Sequence, residues 1–159
     1  MRKQILIASS FALLTSGLAV AAEAQPRSRS VNVQGANGGG FVKQRSISRG
    51  DGNVAASRSV RTNGGHGYDA NRSASRQAGN TSTSGQITTI DGRSASTSAG
   101  RTWGDGSYSG GRTTTLGDGT SFGHSTTATR NADGSVSYSS SRTGVGGDTA
   151  TVEGTTVPR

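Results

Sequence analysis

The chain has 159 residues, of which 28% are hydrophobic and 4% aromatic, with no cysteine and a net charge of +8. These values exclude disulfide staples and thiolate metal sites, limit the chain to one domain, and leave few large apolar residues for a core. By itself such a composition places a chain among disordered segments, so any fold must be argued from its pattern.

The first residues carry an export signal. Arg2 and Lys3 precede a mostly apolar stretch over residues 5–20, and Ala22-Glu23-Ala24 supplies small residues at −3 and −1 of a cleavage site. Residues 1–24 are expected as a signal peptide with a short helix, cut after Ala24. Ser9, Ser10, Thr15, Ser16 and Gly17 interrupt the apolar run, which falls short of the ~20 residues of a spanning helix. Cleavage is therefore expected rather than retention as an anchor, so the mature chain is not transmembrane. With no cysteine after the run, no lipid anchor is expected either. The style is bacterial and the destination is the periplasm, the cell surface or the medium. Residues 25–37 read as a flexible basic leader.

Residues 38–147 contain a repeat. Gly38, Gly52, Gly65, Gly79, Gly92, Gly106, Gly119, Gly134 and Gly147 are separated by 14, 13, 14, 13, 14, 13, 15 and 13 residues. The unit is 27 residues, stretched by one near Asn131-Ala132. Independent columns follow the same period: Phe41, Tyr68, Ala95 and Phe122; Val54, Thr81, Tyr108 and Val136; Arg49, Arg76, Trp103 and Arg130. Each half-unit is a run rich in Ser, Thr, Val, Tyr and Arg between turn pairs. Asp51-Gly52, Asp91-Gly92, Asp105-Gly106, Asp118-Gly119 and Asp133-Gly134 are expected as tight hairpin turns. About eight strands over residues 40–145, and a ninth within the terminal strand and tail at 148–159, make an all-β antiparallel hairpin meander of eight to nine strands. A β-solenoid with one coil per unit, or disorder in isolation, are the alternatives. Val54, Ala56, Val60 and Thr62 share one parity, as do Thr81, Thr83, Ile87 and Thr89, then Tyr108 and Leu116, then Val136 and Tyr138. Ser, Thr, Gln and Arg are expected mostly on the other face.

Nothing in this pattern points to catalysis, a cofactor or a small-molecule substrate. His66 and His124 stand beside glycines and read as solvated turn residues. The aspartates fall one per turn rather than as a carboxylate pair. Calcium repeats need a tandem nonapeptide with stacked Asp, whereas Asp here recurs at 13 or 14, so Asp reads as a turn residue. The Gly-Gly-Gly at 38–40 opens no phosphate loop, because no Lys-Ser/Thr follows.

Charge is the exception. Arg58, Arg61, Arg72, Arg76, Arg93, Arg101, Arg112, Arg130 and Arg142 are spread through the repeats, and a regular sheet would align several as ladders on one face. Arginine engages phosphate and carboxylate bidentately, so these nine are candidate contacts for an anionic envelope polymer: lipopolysaccharide, capsule or nucleic acid. The plainer role for them is solubility and protection of sheet edges. Aromatic residues are sparse for base stacking. In composition the repeats are similar to secreted bacterial surface and matrix proteins, curli-type amyloid subunits included. Curli-type repeats are shorter and carry Gln and Asn ladders that this chain lacks. The expected function is thus an exported, non-enzymatic β-repeat protein with a structural or adhesive role. Alternatives are an Arg-rich polyanion-binding module and a self-associating, amyloid-like matrix subunit.

Overall fold

The computed structural model describes residues 26–157; the expected signal helix and its cleavage position at Ala24 lie outside the described residues. Ten strands follow one another: β1 (Arg27–Gln34), β2 (Gly40–Gly50), β3 (Asn53–Thr62), β4 (Gly67–Gln77), β5 (Asn80–Thr89), β6 (Ser94–Gly104), β7 (Ser107–Leu116), β8 (Ser121–Arg130), β9 (Val136–Thr143) and β10 (Thr149–Thr156). No helix occurs among the described residues. Each strand pairs antiparallel with its neighbours in sequence, giving one open sheet in the order β1 to β10. This is the meander and not the solenoid. The repeat is literal: β2, β4, β6 and β8 start at Gly40, Gly67, Ser94 and Ser121, each 27 residues after the last.

One segment differs from expectation. Residues 25–37 read as a flexible leader, yet Arg27–Gln34 forms β1, paired with β2 over its whole length. Its alternation of Arg27, Arg29, Val31 and Val33 with Ser28, Ser30, Asn32 and Gln34 suits a strand. The first Gly-rich loop then returns the chain to β2.

The nine spaced glycines are the residues that make the turns. All have φ between 71° and 86°, the left-handed region that glycine enters without steric cost. At one end of the sheet, Asp51-Gly52, Ala78-Gly79 and Asp105-Gly106 are two-residue turns. Asp51 (φ 50°) and Asp105 (φ 49°) are left-handed as well, the type I′ geometry that matches strand twist. The other end uses a longer loop. In residues 62–66 the Gly65 amide donates to the Thr62 carbonyl (3.1 Å) and the Thr62 amide to the His66 carbonyl (2.8 Å). The same two bonds recur in residues 35–39, 89–93, 116–120 and 144–148, each a turn followed by a left-handed glycine. Asp91-Gly92 and Asp118-Gly119 therefore sit in longer loops rather than tight turns, with only the glycine left-handed. Asp133-Gly134 does too: the loop at 131–135 replaces a two-residue turn between β8 and β9, and this is the physical origin of the extra residue in the repeat.

Within these loops aspartate serves as an acceptor. Asp118 Oδ1 accepts the Thr120 amide at 2.9 Å. Asp133 Oδ1 accepts the Ser135 hydroxyl at 2.6 Å and its amide at 2.9 Å. Those bonds hold both carboxyls below their ordinary value. Asp91 is lowered by the Thr89 hydroxyl and Arg93, and Asp69 by Arg61 and Ser59. A depressed folded-state value contributes stability above the ordinary carboxylate range that is lost as pH falls through the folded values. The thermal midpoint should therefore fall on acidification below about pH 4, and an Asp118→Asn, Asp133→Asn double variant should show a smaller drop.

The turns from Asp51-Gly52 to Asp118-Gly119 are also docked on a neighbouring repeat. The carbonyls of Gly52, Gly79 and Gly106 accept the amides of Arg76, Trp103 and Arg130 at 2.9, 2.8 and 2.8 Å. The carbonyls of Gly40, Gly67 and Ser94 accept those of Asn63, Ile90 and Gly117 at 3.0, 3.0 and 2.7 Å. The 27-residue period is thus written in the backbone as well as in side chains.

Registers sort the side chains onto two unlike faces. One holds all the strand aromatics and most aliphatics: Val54, Ala56 and Val60 on β3, Tyr68, Ala70 and Ala74 on β4, Ile87 on β5, Ala95 and Trp103 on β6, Tyr108 and Leu116 on β7. Its centre is the row Ala70–Ile87–Ala95–Leu116, in which Ala70, Ile87 and Ala95 are the buried hydrophobics and Tyr68 and Leu116 pack against them. The opposite face is dominated by hydroxyls and amides. Ser73 pairs with Ser84 (2.6 Å), Ser75 with Ser82 (2.8 Å), Thr115 with Ser121 (2.8 Å) and Thr143 with Thr149 (3.1 Å). Such cross-strand pairs, with the backbone ladder, stabilise a sheet that has little core.

Candidate functional site: a cationic sheet face

The apolar face is also the charged one. Arginine was expected across the sheet from the apolar residues; instead Arg27 and Arg29 (β1), Arg45 and Arg49 (β2), Arg58 (β3), Arg72 and Arg76 (β4), Arg101 (β6), Arg112 (β7), Arg130 (β8) and Arg142 (β9) share their parity. Lys43 joins them, which makes eleven arginines and one lysine. Among the described residues no aspartate or glutamate shares this face. Asp69 and Glu153 stand on the opposite one, and the remaining acids lie in turns and loops.

Of the nine arginines singled out from sequence, seven meet here: Arg58, Arg72, Arg76, Arg101, Arg112, Arg130 and Arg142. The other two do not. Arg61 projects from the hydroxyl face, where it pairs with Asp69 and donates to the Tyr68 carbonyl at 3.1 Å. Arg93 lies in the loop before β6 and its Nε donates to Asp91 at 2.7 Å. The cations missed were Arg27, Arg29, Lys43, Arg45 and Arg49. Arg45 and Arg49 share the parity of Ile47, so alternation along β2 was the available signal. His124, expected in a turn, lies within β8 on the cationic face, opposite Arg112 and Arg142. The glycine before it, Gly123, is a strand residue.

Like charges stand side by side. Arg29, Arg45 and Arg58 are direct cross-strand partners, and Arg112 and Arg142 stand on either side of His124 in a second row. Neighbouring strands are about 4.8 Å apart, and like charges directly opposite destabilise a sheet. Some local relief exists. The Arg58 guanidinium carbon lies 5.5 Å from the Tyr68 ring centroid, a cation–π distance. The Arg112 Nε donates to Thr97 at 3.1 Å. The buried Nε atoms of Arg49 and Arg58, however, have no hydrogen-bond partner in the protein. Arg45→Thr should raise the thermal midpoint of the free protein at low salt, and the gain should shrink in about 1 M salt, where the Debye length is about 3 Å. A midpoint unchanged at low salt would mean that the row carries no repulsion.

This face holds a trough of about 510 Å³ lined by Lys43, Arg45, Arg58, Arg72, Arg101 and Arg112 together with small residues such as Ala56, Ala70, Gly85 and Ala99. A second groove of about 620 Å³, more open than the first, is lined mostly by Ser and Thr with Asn71, Gln86, two alanines and Arg72, and lacks the concentration of charge. Among the described residues, no three His, Cys, Asp or Glu side chains gather as a metal site, and no helix is long and apolar enough to cross a membrane. What the cationic face can do is hold an extended anion: its guanidiniums are spread over eight strands, β1 to β4 and β6 to β9, in rows about 7 Å apart along each strand. Comparison with protein-family models, with curated proteins and with solved structures finds no match to this chain.

Proposed function

We propose that this is an exported, non-enzymatic β-repeat protein that adheres to an anionic polymer of the cell envelope or its surroundings through the cationic face. The observation that carries the reading is the segregation of eleven arginines and Lys43 on one face without a carboxylate. Solubility alone would be served by charges of both signs on either face. A one-sided field instead raises the local concentration of a polyanion and steers it, and arginine adds bidentate contacts to carboxylate or phosphate. The signal-type first 24 residues support export, and fractionation tests it: the protein belongs in the envelope or the medium, and a purely cytoplasmic location would refute that half.

The binding half is tested by titrating the purified protein with polygalacturonate, a polyuronate, at several salt concentrations. Log affinity should fall linearly with log salt, with a slope set by the number of ions displaced. Binding insensitive to salt, or equal binding of neutral dextran, would refute it. Self-association is the second reading, favoured by the open edges of β1 and β10 and the uncharged hydroxyl ladders. It predicts the opposite salt response, because screening relieves repulsion between cationic copies.

A further inference from the structure

Three of the strand aromatics are gathered into one row. Trp103 on β6 pairs with Tyr108 on β7, Tyr108 with Ala128 on β8, and Ala128 with Tyr138 on β9. All three rings are on the cationic face and open to solvent, at 43%, 36% and 39% exposure. Glycines make room for the two tyrosines. A Cβ at Gly154 would lie 2.7 Å from the Tyr138 hydroxyl and 3.0 Å from Cε1, and one at Gly110 would lie 2.5 Å from the Tyr108 hydroxyl and 2.9 Å from Cζ. The Tyr138 ring therefore lies across to β10 over its partner Gly154, and the Tyr108 ring lies along β7 over Gly110, rather than standing away from the sheet.

Charge and hydroxyls flank the row. Arg101, Gly110, Thr126 and Ser140 form the neighbouring row on one side, and Arg130 with Val136 the row on the other, each about 7 Å away. Aromatic surface bordered by guanidiniums and hydroxyls fits a ligand with an apolar ring face and an anionic, hydroxyl-bearing rim.

Resting on the polyanion reading above, we propose that Trp103, Tyr108 and Tyr138 form a subsite for the sugar rings of an acidic polysaccharide, with its carboxylates held by the flanking arginines. Spacing favours a glycan over a single-stranded nucleic acid. The backbones of Tyr108 and Tyr138 are two strands apart, about 10 Å, and the Tyr138 ring leans further away, over Gly154 on β10, whereas stacked bases follow one another at about 3.4 Å and would have to be pulled from one another to lie face-on against both rings. Sugar rings joined through glycosidic oxygens do not stack on each other, so each offers its C–H face separately at no such cost.

Trp103 is the sole tryptophan of the chain, so its fluorescence reports on the row directly. Titration with polygalacturonate should shift or quench its emission, while inorganic polyphosphate, which has charge but no sugar ring, should bind with salt dependence and leave it nearly unchanged. Tyr108→Ser with Tyr138→Ser should weaken polygalacturonate binding about tenfold without changing its salt slope or polyphosphate affinity. Tyr108→Phe with Tyr138→Phe should restore it and guard against a folding defect. Three results would overturn the assignment: polygalacturonate binding without any change at Trp103, equal losses for both polymers in the serine variant, or a larger loss for oligothymidylate than for polygalacturonate. In each of these the arginine face still binds anions. Failure of every polymer to bind would instead remove the polyanion reading itself.

Discussion

Replacing Arg45, Arg72, Arg101 and Arg112 together by glutamine should lower affinity for polygalacturonate about a thousandfold at low salt. All four line the trough. A basic side chain facing a dense anionic surface is worth about 1 kcal/mol, so four remove about 4 kcal/mol, which is that factor. The salt slope should become shallower by about 3, since each cation that neutralises a polymer charge adds about 0.7–0.9 to it. Glutamine is shorter than arginine but stays polar and uncharged, and removing like charges from a sheet should not unfold it. The control is a double variant, Arg61→Gln with Arg93→Gln. It removes charges paired with Asp69 and Asp91 away from the face, and should change affinity less than twofold. Equal losses in the two variants would show that net charge acts without regard to face, and the cationic sheet would lose its standing as the site.

The control separates what the sequence disclosed from what it hid. The period, the turn glycines and the parity of Val54, Ala56, Val60 and Ile87 were legible, because left-handed turns and side-chain alternation are local properties. The location of arginine was not. Composition suggests that polar residues oppose apolar ones, yet Arg58 and Arg72 share parity with Ala56 and Ala70 because a single-layer sheet never buries its apolar face under a second layer. A long stem can rest on the apolar surface while its guanidinium stays wet. β1 was lost for a related reason: Val31 and Val33 are its only apolar residues, too short an alternation to outweigh the basic composition, and pairing with β2 supplies the rest. The aromatic row was invisible for a third reason. Trp103, Tyr108 and Tyr138 are distributed over three strands, and register alone makes neighbours of them.

Register in turn depends on the turns, and Gly52→Ala is expected to be among the most damaging single substitutions in the sheet. Its φ of 74° costs a residue with a Cβ about 1–2 kcal/mol. The added Cβ would also press on the Arg76 carbonyl oxygen of the next repeat, a backbone atom that cannot move without disturbing β4, and overpacking of this kind adds about 1–3 kcal/mol. The total should be about 3 kcal/mol, read as a fall in the urea midpoint. Gly65→Ala isolates the first term, since φ is 77° and nothing lies within 4 Å of its Cβ, and should cost about 1 kcal/mol. Between them the docked turns should grade with their clearance: Gly79, whose Cβ would meet the Trp103 carbonyl oxygen at 2.8 Å, should cost more than Gly106, whose nearest neighbour is the Arg130 Cβ at 3.3 Å. If all four alanine variants lose the same stability, the turns act only within their own hairpins. If the grading holds, each turn is a clamp on the following repeat, and the rows of arginine and aromatic side chains owe their alignment to it.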